Sequence, residues 1–426
     1  MTKQKLITNF DQIEEISEAD KKKYRIVFGD RVGIINGLLR RYDLSRYEYS
    51  IFQSLSARTK VLFSLSREVS SGGLGINNNA RYAFHACMGE TLERYCMTYS
   101  NIKQLVFKSY KEIPNKFKVK NFALYSTDQY QKNKRFANPT EEKIYWDKIN
   151  SFFNPKRKIF WPASLIYLPF EHGKLSAETT STGVSAHTNK SKAIMGGLLE
   201  VIERDALMLN FLLRLNPPEI QLESIKGANG DLITKLKNDG YKIKIYKLIS
   251  DIDIPIYAGL IWTEKKDVFH YGIGACAALD SKKAIGKTLQ ECLFTYLYSK
   301  DLLHLKQSTK GKIVALYEHF LYYQGDRFPK LLFKSKVEKY KNKKVKKQTL
   351  CNILKSQKLE VYYKELTTPD IKSTSIRVFR VIIPGLLDIN KSHLLPRLGA
   401  LRLWTVPQKL GIVRKNKISP LPHPFP

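Results

Sequence analysis

Two short runs in this sequence pair acids and follow them with a base: Glu90-Thr-Leu-Glu-Arg94 and Glu200-Val-Ile-Glu-Arg204. On a helix, residues three and four apart share a face, so Ala86, Glu90 and Glu93 line up, as do Gly196, Glu200 and Glu203. Like charges one turn apart cost an isolated helix roughly 0.2–0.5 kcal/mol. A bound cation converts that cost into affinity. Carboxylate oxygens suit Mg2+, which keeps waters and shares its ligands with substrate phosphates. The small residue one turn before each pair leaves room for a bulky ligand. Arg94 and Arg204 can bind phosphate bidentately or pin the carboxylates. The set therefore suits phosphate chemistry on magnesium–ATP. A solvated helix face is the competing reading, and the recurrence of the motif weighs against it.

The elements that must position these acids repeat as well. Gly73, Ala83 and Glu90 are spaced by ten and seven residues. Gly183, Ala193 and Glu200 repeat that spacing, as do Gly274, Ala284 and Glu291. In the third copy Phe294 takes the place of the second acid. This predicts one unit, a glycine turn feeding a helix, used three times around an ATP cleft. The pattern predicts helices over 80–97, 190–207 and 281–300. The alternation in 241–246, the apolar run 254–262 and the segment 376–383 predict strands. Residues 1–60 read as mixed and partly helical, with a short helix over 33–41. Without a regular βαβ rhythm, the fold class is α+β with antiparallel or mixed sheets. The expected division is an N-terminal region over 1–64, a catalytic domain over 65–411 and a proline-rich tail over 412–426.

Two nucleotide-like motifs are weaker. Gly286-Lys-Thr288 resembles the end of a P-loop, but Ser281 stands where a glycine is needed and the residues between are helix-forming. Gly272-Ile-Gly-Ala-Cys-Ala277 fits a loose dinucleotide fingerprint with no βαβ unit to follow.

Composition narrows the function classes. The formal charge is +33, which admits a polyanion partner. The lysines are spread along the chain, however, and nucleic acid is not the expected ligand. The densest run, 334–347, holds eight lysines in fourteen positions and reads as a solvated connector. Five cysteines without a Cys-x-x-Cys argue against a disulfide framework and a thiolate zinc site. No run is apolar enough to span a membrane, and the N-terminus is not a signal peptide. The expected location is the cytoplasm. The sequence ends Pro420-Leu-Pro-His-Pro-Phe-Pro426. Alternating prolines favour an extended, stiff path, which loses little entropy on docking. The partly apolar segment 401–411 should anchor it, so that the tail reaches a cleft and presents its carboxylate.

Taken together, these residues resemble the YcaO family. The resemblance covers roughly 65–426. It rests on Gly73-Leu-Gly75 through Glu90-Thr-Leu-Glu-Arg-Tyr95, Ser181-Thr-Gly-Val-Ser-Ala186 through Glu200-Val-Ile-Glu-Arg-Asp205, and Gly272 and Gly274 through Glu291. Ile383-Pro-Gly385 and Arg402-Leu-Trp-Thr-Val-Pro-Gln-Lys-Leu-Gly411 also fit. The terminal Pro-x-Pro-x-Pro is similar to the subgroup of azoline-forming cyclodehydratases. The resemblance implies an ATP-dependent enzyme with Mg2+ that converts Cys, Ser or Thr of a ribosomal precursor peptide to thiazoline or (methyl)oxazoline by phosphorylating the backbone amide oxygen. It implies metal binding by Glu90, Glu93, Glu200 and Glu203. Nucleotide contacts would come from these together with Ser185, Arg204, Lys287 and Glu291. Pro422, Pro424 and Pro426 would order the catalytic cleft.

The resemblance also implies a separate ThiF-like protein that captures the peptide's leader, since about 60 N-terminal residues are too few to hold one. A flavin dehydrogenase and a second copy of the chain are further candidate partners. The departures are Leu74 within the Gly-x-Gly, Ala86 for a serine, Thr188 and Lys192 for an Asn and a Glu (with Asn189 adjacent), Lys287 for an arginine and Phe294 for a glutamine. The alternatives are thioamidation or amidine formation by a YcaO relative, a regulatory subunit that has lost catalysis, and a basic RNA-binding protein.

Overall fold

A computed structural model describes residues 4–29, 33–66, 72–115, 122, 124–265, 268–303, 313–323, 327–328, 332–413 and 418–425. The chain forms two compact units. The first takes residues 1–117, 133–198 and 361–382, and the second residues 118–132, 199–360 and 383–426.

The first unit carries two sheets. Gln4–Ile7, Ile35–Arg41, Ser50–Ser56 and Leu74–Asn77 form a four-stranded antiparallel meander. Ile35–Arg41 lies in the segment expected to be a short helix. Leu and Arg favour helix, but such propensity is a weak prior that tertiary context overrides. Here the segment hydrogen-bonds to strands on both sides and buries Ile35 and Leu38 completely. The second sheet runs Val106–Lys108, Ile144–Ser151, Tyr362–Glu365, Arg377–Ile382, Val184–His187, with Lys158–Pro162 also paired to Ile144–Ser151. Phe84 of the helix Ala80–Thr98 is fully buried and meets Phe10, Tyr24 and Phe52 edge-on, an arrangement that adds to plain area burial.

The second unit is built on the sheet Val268–Ala277, Ile256–Lys265, Lys242–Lys247, Glu219–Gln221, Val337–Lys339. Only its last pair is parallel, so the fold is α+β with antiparallel and mixed sheets. That last strand falls inside the lysine-rich run read as a connector. Three residues of it find partners along Glu219–Gln221 while their side chains stay exposed, as suits a blunted edge. Among the described residues no helix is long and apolar enough to cross a membrane.

The three predicted helices are Ala80–Thr98, Lys190–Leu212 and Ser281–Leu303. Each follows a strand: Leu74–Asn77, Val184–His187 and Val268–Ala277. Of the recurring glycines, Gly274 lies within a strand and Gly73 just before one, where the sequence suggested turns, while Gly183 does sit in a turn. Gly73 and Gly274 let the helix lie against the strand, since a Cβ there would come within 2.4 Å of the Cys87 and 2.6 Å of the Thr288 carbonyl oxygen, and the glycines beside them do the same. A Cβ on Gly75 would come within 1.7 Å of the Ala83 carbonyl oxygen. In the third copy one on Gly272 would come within 2.0 Å of that of Cys292. The second copy places the close glycine on the helix, where Gly197 meets the Gly183 carbonyl, and Gly183 itself has φ +82°, a conformation open to glycine at little cost.

Candidate functional site

The three helices share one burial pattern. Ala83, Ala193 and Ala284 are fully buried. Ala86, Gly196 and Lys287 occupy one equivalent exposed position, and Glu90 and Glu200 another, half-buried one. Each strand in front of these helices is also the edge of its sheet. An edge strand has a row of backbone N–H groups without a neighbouring strand to bond, and the candidate acids fill that need.

In the first unit the Leu74 N–H donates to Glu90 Oε2 at 2.6 Å, and the Ala186 N–H donates to Glu93 Oε1 at 2.6 Å. The other Glu90 oxygen accepts from Arg94 Nη2 at 2.6 Å. Arg94 also donates to the Gly72 carbonyl, so it acts as a brace for the carboxylate and the Gly-Leu-Gly segment. Ser185 packs over the second helix, where a Cβ on Gly196 would come within 2.5 Å of its Oγ.

The second unit repeats the scheme. The Ala277 N–H donates to Glu203 Oε2 at 2.9 Å, and the Ala275 N–H donates to Glu291 Oε2 at 3.1 Å. Glu90 and Glu291 thus serve the strand residue just after the repeat glycine of their own copy. Glu93 and Glu203 serve the residue three after the glycine of the next copy. Arg204 lies 3.0 Å from Glu203 and 3.7 Å from Glu200. Burial pushes the Glu203 carboxyl up to about 7. Arg204 opposes that push and Glu291 adds to it. Burial also raises Glu291, against the pull of Arg204, though solvent still reaches this side chain and tempers the rise. Burial works against the charge on Arg204, yet Glu203, Glu200 and Glu291 hold the guanidinium charged. Cys276 lies near the same charges, and burial raises its thiol well above the ordinary value. That makes it a packing residue and no nucleophile. Arg402 pins the helix from behind, reaching Asp205 and Asp251 at 2.6 Å each.

The donor chemistry fits Mg2+. Glu90, Glu93, Glu203 and Glu291 each give one oxygen to a strand N–H, and that bond fixes the orientation of the other oxygen. Hard carboxylate oxygens suit the ion. Among the described residues no three His, Cys, Asp or Glu side chains converge as a metal cage, and Mg2+ commonly fills its octahedron with waters and phosphate oxygens. Neither weaker motif forms the phosphate loop its pattern suggests, because Gly286-Lys-Thr288 is helical and Gly272–Ala277 is extended; the latter instead supplies the Ala275 and Ala277 N–H groups.

The proline tail packs within the second unit. Pro422, His423, Pro424 and Phe425 are buried, and Pro426 lies outside the described residues. The Ser419 N–H donates to the Leu212 carbonyl at 2.7 Å, Tyr323 Oη donates to the Pro422 carbonyl, and Phe425 meets Phe211 edge-on.

The sequence missed the backbone donors Leu74, Ala186, Ala275 and Ala277. An N–H has no residue-type signature. The one available hint was the strand-like run before each repeat helix.

The family described as YcaO cyclodehydratase, ATP- and Mg2+-binding, matches residues 75–387. The chain belongs to the YcaO family. Among solved structures, a heterocyclase in complex with substrate and cofactor is similar at 19% identity and a TM-score of 0.76, covering 96% of this chain and 57% of that one. This YcaO chain thus spans little more than half of that relative's length. The YcaO protein of Methanopyrus kandleri, bound with AMPPCP and Mg2+, matches at 18% identity and a TM-score of 0.57, over 80% and 83% of the two chains. The E. coli microcin synthetase McbBCD complex with pro-MccB17 bound matches at 16% and 0.63, over 92% and 97%. At these identities the likeness concerns the fold. No curated protein sequence matches.

Proposed function

We propose that this YcaO chain is an ATP-dependent cyclodehydratase of ribosomal precursor peptides. The observation that carries the reading is the set of glutamates on repeat helices, each oriented by an edge-strand N–H, in a chain of a family that binds ATP and Mg2+.

In this reading a Cys, Ser or Thr side chain of the peptide attacks the preceding backbone carbonyl carbon and gives up its proton. The resulting oxyanion takes the γ-phosphoryl group of ATP, releasing ADP. Expulsion of phosphate, with loss of the amide proton, leaves a thiazoline or (methyl)oxazoline. Phosphoryl transfer of this kind needs positioning and charge neutralisation more than a covalent nucleophile. Glu90, Glu93, Glu200 and Glu203 would hold Mg2+, which neutralises phosphate charge when bound. Arg204, kept charged in a buried setting, contacts phosphate; Ser185, Lys287 and Glu291 line the nucleotide. Lys287 occupies the exposed position held by Ala86 and Gly196 in the other copies, so the third helix presents a cation there. The tail, with Pro422, Pro424 and Pro426, orders the catalytic cleft.

The peptide is presented by a leader-binding partner of ThiF-like type. This is supported by the relative of which this chain covers 57% and by the similar fold found in a multi-protein synthetase complex. The test is mass spectrometry of a Cys/Ser/Thr-containing precursor incubated with the chain, its partner, ATP and Mg2+. Loss of one water per modified residue, with ATP consumed, is expected. An exchange of oxygen for sulfur would move the activity to thioamidation.

A further inference from the structure

The C-terminal segment is held by an unusual pair of rings. His319 and His423 stack with centroids 4.0 Å apart and planes 16° from parallel. Both rings are buried. His423 Nε2 lies 2.7 Å from the Asn390 carbonyl oxygen. A carbonyl only accepts, so this nitrogen carries the proton. His423 Nδ1 is buried and meets no hydrogen-bond partner among the described residues. On the facing ring, His319 Nδ1 lies 3.2 Å from the His423 carbonyl oxygen and Nε2 lies 3.0 Å from that of Lys391. His393 adds a third contact, its Nε2 lying 2.8 Å from the Pro420 carbonyl. Tyr323 closes the set on the Pro422 carbonyl.

We propose that His319, Tyr323, His393 and the carbonyls of Asn390 and Lys391 form a receptor that positions Pro420–Phe425 near Arg204, and that this receptor accepts the tail only while the His423 ring is neutral. His319, Tyr323 and His393 are positioning residues here, acting through the tail. The inference rests on the proposed function for the purpose of the docking, though not for its geometry.

The physical argument starts from the orphan nitrogen. A second proton on His423 would sit on Nδ1, where it finds no acceptor among the described residues. Burial is the main force holding the ring well below its ordinary 6.5; the His319 ring, His393 and the Arg204 guanidinium oppose the charge further, against the pull of the Asn390 carbonyl. On His319, burial and His393 favour the neutral ring, while the Lys391 and His423 carbonyls and Glu318 favour the charged one. The outcome is a value pushed down to about 4. The two carbonyls flanking His319 would be served best by a doubly protonated ring, so burial decides against the local hydrogen-bond geometry. A released tail returns His423 to water and to its ordinary value. The docked form therefore binds fewer protons than the released form. Docking is complete above about pH 6.5 and weakens as pH falls below it, about tenfold per pH unit for the one proton on His423.

Hydrogen exchange of the full chain tests this at Leu421, His423 and Phe425, the tail residues here that carry an amide hydrogen. Protection, corrected for the intrinsic pH dependence of exchange, is expected to be nearly constant from pH 8 to 7 and to fall about tenfold between about pH 7 and 5.5. His423→Gln keeps a donor for the Asn390 carbonyl and cannot titrate, so its protection should stay flat over the same range. Tyr323→Phe removes one hydrogen bond and no titrating ring; it should lower protection at every pH while keeping the wild-type slope. A flat wild-type profile, a His423→Gln slope equal to wild type, or a Tyr323→Phe slope flatter than wild type would overturn the proposal. None of these readouts uses ATP or peptide. The latch can therefore fail while cyclodehydration stands, and cyclodehydration can fail while the latch stands.

Discussion

The first unit places Glu90 and Arg94 at about a third exposure, at 32% and 36% of their side-chain surface. In the second unit Glu200, the counterpart of Glu90, stays at 29%, and the arginine turns to the motif's other acid, with Glu203 at 9% and Arg204 at 22%. The five-residue pattern is shared, and so is the device of capping an edge strand with a carboxylate. What differs is the cost of the charge. In the first unit the acid–base pair is a solvent-facing brace. In the second it sits among Glu200, Glu291 and Lys287 in surroundings that push a carboxyl up to about 7. One motif thus supplies both a rigid strut and a strained charge cluster, and only the second has charge that a bound cation would relieve strongly.

Removing an acid from each side breaks the comparison most directly. Glu203→Ala takes from Arg204 its nearest carboxylate and from the Ala277 N–H its acceptor, and the loss should reach about 3 kcal/mol in urea unfolding. Glu90→Ala removes a more exposed pair and should cost about 1 kcal/mol or less from that pair, with a further contribution of similar size from the Leu74 N–H. Equal losses would erase the distinction.

The next largest effect concerns the close strand–helix contact. Gly75→Ala drives a Cβ into the Ala83 carbonyl and should destabilise by about 1–3 kcal/mol or more. Gly89→Ala, on the same helix with its nearest neighbour 3.9 Å away, should be neutral or stabilise by about 0.5–1 kcal/mol. Thermal unfolding of the two variants separates them.

Conservative changes sharpen the comparison for function. In Glu93→Gln and Glu203→Gln the amide oxygen can still accept the strand N–H while the charge is lost. Magnesium–ATP affinity, measured by calorimetry, should fall about 10–100-fold in each, with folding largely retained. Unchanged affinity in both would remove these carboxylates from the site.

The smallest effect is in pH. The folded Glu203 carboxyl is raised above its ordinary 4.5, so the folded state binds more protons than the unfolded state between about pH 4.5 and 7. Its contribution to stability is full below 4.5 and is lost as pH rises towards 7. Glu203→Gln should therefore gain stability relative to wild type across that window, read from unfolding midpoints at each pH. A constant difference would mean that the carboxyl titrates normally.

Much of this was legible in the sequence, for reasons that can be named. The helices at Ala80, Lys190 and Ser281 follow from the spacing of apolar positions around the paired acids. The strand expected at 241–246 appears as Lys242–Lys247, because Ile243 and Ile245 alternate with lysines. Ile35–Arg41 was not legible: Leu38, Leu39, Arg40 and Arg41 prefer helix in isolation, and only two neighbouring strands make the segment extended. The repeat glycines were legible as special positions but not as contact surfaces, since sequence does not say what lies opposite a missing Cβ. The stiffness of the tail could be read from its prolines. Its receptor comes from residues about 30 and 100 positions away, His393 and His319, and nothing local marks them.

The edge-capping carboxylates carry one more consequence. A bare outer strand is a template for another polypeptide, and proteins usually blunt such strands with charge, irregularity or a covering element. Here Leu74–Asn77, Val184–His187 and Val268–Ala277 are shielded by glutamates that the proposed chemistry also recruits. A chain that loses those acids forfeits more than a ligand. It uncovers a sticky flank along which a second molecule could stack in register, so that inactivity and insolubility would arrive together in the same variant.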